Sequence, residues 1–155
     1  QWQDADGDVM DAAFALLMES EIDMTIFFRA LATAESVEAL QNAFYLDGQW
    51  QQAREKWAAW FARYAALVAE QNPTFEQQTA RVSRMNAANP KYVLRNYLAQ
   101  QAIDAAHAGD YSKIAELLDV MRKPYDDQPG REIYAGKRPD WARTKAGCSM
   151  LSCSS

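Results

Sequence analysis

Residues 50–68 carry one continuous apolar stripe at helical spacing: Trp50, Ala53, Trp57, Trp60, Phe61, Tyr64, Leu67 and Val68. Intervals of three and four residues place these side chains on one side of a helix, with Gln51, Gln52, Arg54, Glu55, Arg63 and Glu70 on the other. Burying each large apolar side chain contributes about 1.5–3 kcal/mol, so this helix is expected to organise the core. Asn72-Pro73 ends it, because the residue before a proline is disfavoured in helical conformation.

The same period runs through most of the chain. Met10, Ala13, Phe14 and Leu17 predict a first helix behind Asp6 or Asp8. Asp23 is placed to cap a short second helix with Ile26, Phe27, Ala30 and Leu31. A third, around residues 35–46, presents Val37, Leu40 and Phe44 before an Asp47-Gly48 turn. Thr74 and Gln77 have capping-box spacing and open a helix from about 75 to 87, weakly amphipathic through Val82 and Met85. Asn89 as cap and Pro90 at the first helical position predict a helix to about His107, stopped at Gly109. Asp110 then caps a helix with Ile114, Leu117, Leu118 and Met121 on one face, antiparallel to its predecessor. Beyond Pro124 no period survives. The expected fold is all-α: an irregular bundle of about seven helices in a domain 1–124, with an extended, irregular tail 125–155 holding a cysteine pair.

Charge narrows the partners. Residues 1–47 hold ten acidic side chains and one basic, Arg29, which repels phosphates, so no nucleic-acid partner is expected. No run approaches the ~20 apolar residues needed to span a bilayer, so no membrane partner is expected. Cys148 and Cys153 are the only cysteines and frame no disulfide scaffold, which points to a reducing compartment.

Several short runs together resemble the selenoprotein O family, the kinase-like protein adenylyltransferases. These are Asp23-Met24-Thr25-Ile26-Phe27-Phe28-Arg29, with Met24 at a position usually Tyr, then Trp57-Ala58-Ala59-Trp60 with Tyr64. Asn89-Pro90-Lys91-Tyr92-Val93-Leu94-Arg95-Asn96-Tyr97-Leu98-Ala99-Gln100 is the most specific run. Gly109-Asp110, Pro124-Tyr125-Asp126, Pro139-Asp140-Trp141-Ala142 and the ending Ser152-Cys153-Ser154-Ser155 complete the series. With Gln at position 1 and a family-like ending, the expectation is a C-terminal fragment of a longer polypeptide. The resemblance implies that the parent transfers AMP from ATP, with Mg2+, to Ser, Thr or Tyr hydroxyls of protein substrates. It implies an upstream kinase-like domain as partner, and a cytoplasmic location for a bacterial-type member or a mitochondrial one for a eukaryotic member.

No glycine-rich phosphate loop, strand lysine or catalytic and metal-binding Asp/Asn set is present, so no catalytic, nucleotide-binding or metal residue is assigned, and no cofactor is expected on this chain itself. An EF-hand register from Asp4 fails, with Val9 and Ala15 where Gly and Glu are required. His107, the only histidine, has no ligand-spaced companion and suits a helix C-terminus. Lys91, Arg95 and Asn96 are the polar residues of the main run, with an ion pair inside the domain expected for Arg95. Cys148 and Cys153 are the redox candidates: a C-x4-C loop gains only about 2 kcal/mol from closure, so reactivity is a better reason for the pair than stability. Lys145 stands near enough in sequence to lower a thiol pKa. Two other readings stand beside the family one: an independent helical protein-interaction module, and a small thiol redox module.

Overall fold

The computed structural model describes residues 4–148. Its architecture is all-α: α1 (Asp4–Glu19), α2 (Met24–Thr33), α3 (Asp47–Gln71), α4 (Phe75–Ala88), α5 (Asn96–His107) and α6 (Ser112–Met121). A seven-residue 3-10 helix, Val37–Ala43, lies between α2 and α3, and 3-10 turns at Glu132–Ala135 and Asp140–Arg143 follow α6. The chain divides into two compact units, Gln1–Asn89 and Pro90–Ser155. The division thus falls at Asn89–Pro90 and not at residue 124, where helical period is lost.

The first unit is built on α3. Trp50, Ala53, Trp57, Trp60 and Phe61 are buried, and Trp57 is in ring contact with Phe27, Phe44 and Trp60 at 5.1–6.2 Å. Beyond Phe61 the stripe is only half-buried, through Tyr64, Leu67 and Val68. On α1 the buried face is Val9, Ala13 and Leu17, so the stripe is turned from the expected one and Phe14 is exposed. Asp6 and Asp8 lie within α1 and not before it, and Asp6 accepts a hydrogen bond from Gln71 Nε2 at 2.7 Å. The third element is 3-10 and not α. Its three-residue turn puts Val37, Leu40 and Ala43 on one line, all buried, and Phe44 follows the helix in an isolated bridge with Ile22. Asp47 and Gly48 form the first turn of α3 in place of a separate turn, with the Asp47 carboxylate at the positive end of the helix. The Thr74–Gln77 capping box is present, and α4 buries no residue.

In the second unit α5 and α6 pack on each other, and Gly109 takes the left-handed conformation (φ 88°) just past α5. Asn89 does not start α5. Its backbone and side-chain nitrogens both donate to Met85 O, closing α4, and the chain stays out of helical conformation until α5 begins at Asn96. Two amides that a Pro90 start would leave for the helix, those of Lys91 and Tyr92, both donate to Pro124 O, at 2.7 and 3.0 Å. Asp110 accepts from the Ser112 amide, with Tyr111 as the residue preceding α6. On α6 the buried positions are Leu117 and Val120, while Ile114 and Leu118 are exposed. Residues 125–148 are irregular as expected, yet they complete this core: Tyr134, Ala142 and Cys148 are buried against Tyr92, Tyr97 and Leu98.

Candidate functional site

The residues of the first motif act as fasteners. Asp23 is buried at the start of α2, where Oδ1 accepts from the Ile26 amide at 3.1 Å and Oδ2 from the Tyr45 hydroxyl at 2.8 Å. Phe27 is fully buried. Arg29 on α2 donates to Asn86 O and Asn89 O, the carbonyls at the end of α4. Arg81 on α4 makes the converse contact, donating to Ala32 O at 2.8 Å in the last turn of α2, and also to the Tyr64 hydroxyl at 2.9 Å. Each helix therefore neutralises the negative end of the other with a guanidinium. Burial raises the Tyr64 phenol above its ordinary value, opposed by the nearby Arg81 charge.

Next to this exchange lies an open groove of about 820 Å³ between apolar Val9, Phe28, Leu31 and Met85 and polar Asn72 and Arg84. α4 beside it has no fully buried residue, and its half-buried Met85 packs against the core. The groove has room for a ligand, but its lining offers no nucleophile paired with a base.

In the second unit the main run and the Pro124 landmark meet through the two amide contacts above. Tyr92 is buried and its hydroxyl lies 3.3–3.4 Å from the Gln128 backbone. Lys91 donates to Asp127 at 2.6 Å, Arg95 directly precedes α5, and Asn96 is its first residue. Trp141 of the later landmark meets Tyr97 edge-on at 6.1 Å. His107 is exposed in the last turn of α5. Sequence reasoning identified these residues but not their work, since the partners lie far apart in the chain.

The two redox candidates differ. Cys148 is a free thiol only 3% exposed, set in the core of the second unit. Cys153 lies outside the described residues. Lys145, the expected activator, donates instead to Asp104 at 2.7 Å and sits over the Trp141 ring. Since thiol chemistry needs an accessible thiolate, Cys148 should resist alkylation in native protein and react once denaturant is added, as peptide mapping after iodoacetamide would show.

The Lys145 and Gln100 hydrogen bonds hold the Asp104 carboxyl below its ordinary value of 3.8. A lowered carboxylate pKa stabilises the fold above the unfolded value and ceases to do so as pH falls through the folded value. Fluorescence of the neighbouring Trp141 followed in acid should therefore report loosening of the Lys145–Asp104 pair, and Lys145→Gln should move the Asp104 carbon titration, read by NMR, up toward 3.8.

Among the described residues no group of three His, Cys, Asp or Glu side chains is arranged to hold a metal ion, and no helix is long and apolar enough to cross a membrane. What these residues define is a helical scaffold whose motif side chains tie elements together. The family model described as protein adenylyltransferase SelO matches residues 1–122, and the chain belongs to that family. It is 51% identical to the protein nucleotidyltransferase YdiU of Aromatoleum aromaticum over 98% of its length and 29% of the relative's. The corresponding protein of Azoarcus sp. gives 51% identity with 98% and 30% coverage, and that of Tolumonas auensis 49% with 100% and 30%. The chain thus spans about 30% of the length of the curated relatives it matches.

Proposed function

We propose that this chain is the non-catalytic helical region of a protein adenylyltransferase, which transfers AMP from ATP to Ser, Thr or Tyr hydroxyls of protein substrates. The observation that carries the reading is the pairing of a family match over residues 1–122 with motif residues engaged in structural contacts. ATP and Mg2+ belong to the rest of the polypeptide in this reading. It is supported by two features of the described residues: no glycine-rich turn opens a helix, and no three His, Cys, Asp or Glu side chains converge. The region's task is then to support an upstream kinase-like domain, in a cytoplasmic protein. Any redox role of the tail rests on Cys153, because Cys148 is shielded.

Deleting the matching region from the full-length Aromatoleum aromaticum relative is expected to lower its melting temperature and its AMP transfer together. Unchanged melting and unchanged transfer after the deletion would refute the supporting role.

A further inference from the structure

Among the described residues the segment after α6 packs on one side of the α5–α6 hairpin, while apolar side chains on another side of α6 stay exposed. On the covered side Arg131 pairs with Glu116, Lys145 with Asp104, and Trp141 with Tyr97. Steps of about 100° per residue bring Tyr111, Ile114 and Leu118, at the start of and along α6, to one side of that helix, nearly opposite Glu116. Their exposures are 66%, 46% and 54%. The α6 members follow i, i+3, i+7, the spacing by which a helix presents anchors to a partner.

The size of the face selects its occupant. Three half-exposed side chains make a patch on the order of a few hundred Å², enough to mark an interaction surface. A stable pair of separate molecules buries about 800 Å² on each partner, so a second copy is poorly served. A domain on the same polypeptide needs less, because the tether keeps it at high effective concentration. More than two thirds of each curated relative lies outside the region matched by this chain.

We infer that the face formed by Tyr111, Ile114 and Leu118 docks against an apolar surface on the remainder of the same polypeptide. The inference rests on the proposed function, since it takes this chain as one region of a longer enzyme.

The test compares hydrogen exchange in the chain alone with the chain joined to the rest of the Aromatoleum aromaticum relative, in place of its matching region. Joining should slow exchange across residues 112–121 about tenfold, the signature of a helix newly held in place. Ile114→Asp with Leu118→Asp should return exchange to the rate of the chain alone, and the milder Ile114→Ser with Leu118→Ser should do so in part. Both pairs should lower the melting temperature of the chain alone only modestly, as each position is about half-exposed there. If the joined protein transfers AMP but shows no such protection, or keeps it in both variants, the docking face is wrong while the proposed function stands. If it shows neither transfer nor protection, both fall. Protection that appears in the chain alone with rising concentration would identify a second copy as the occupant and overturn the inference.

Discussion

Trp57→Ala is expected to destabilise the Gln1–Asn89 unit by about 3–5 kcal/mol, the range for emptying a large aromatic site in a core. Trp57 is fully buried at the meeting point of α2, α3 and the segment after the 3-10 helix, in contact with Phe27, Phe44 and Trp60. Those neighbours sit on different elements, so they cannot close the cavity without moving helices. The indole also carries a cost: its Nε1–H is buried without a hydrogen-bond acceptor. Trp57→Phe removes that donor along with part of the volume, so its penalty should be clearly smaller than that of Trp57→Ala. Urea unfolding followed by circular dichroism measures both. Equal penalties for the two variants would contradict this account of the core.

Arg81→Ala should cost about 1.5–3 kcal/mol, the value of hydrogen bonds made by a charged group, with the loss concentrated in α4. That helix buries no side chain fully, so the two guanidinium contacts with α2 carry much of its attachment beside the half-buried Met85. The variant leaves Ala32 O and the Tyr64 hydroxyl without their donor. Arg81→Lys should rescue little, because one ammonium cannot reproduce a fork aimed at two acceptors. Hydrogen exchange should accelerate across residues 75–88 and stay slow in residues 50–61. Uniform acceleration of both segments would mean that α4 is part of the cooperative core after all.

These two effects also mark what was legible in the sequence. The Trp50–Phe61 stripe and the Thr74–Gln77 box are local patterns, and each has the structure its spacing predicts. Asn89-Pro90 is local as well, yet it is ambiguous, because Asn closes helices and Pro restricts the residue before it. The choice is made by Pro124 O, which takes the amides of Lys91 and Tyr92 from 33 and 32 positions' remove in sequence. No window along the chain contains that contact. The helical period also overstated the burial of Phe14, Ile114 and Leu118, since it says that a face exists but not which neighbour covers it. For the same reason the segment after Pro124 read as a tail. Tyr134, Ala142 and Cys148 enter the core from short 3-10 turns and loops, which leave no periodic trace. The motif residues were recognisable in order, whereas their roles as caps and ties required the folded arrangement.

The central claim is a division of labour: this region supports and the rest of the enzyme reacts. It is tested most directly by incubating the isolated chain, and the chain joined to the remainder of the relative, with Mg2+, ATP labelled at the α-phosphate and a protein acceptor. Label should enter protein only with the joined polypeptide, as AMP on Ser, Thr or Tyr hydroxyls. Incorporation by the isolated chain at a comparable rate would contradict the account.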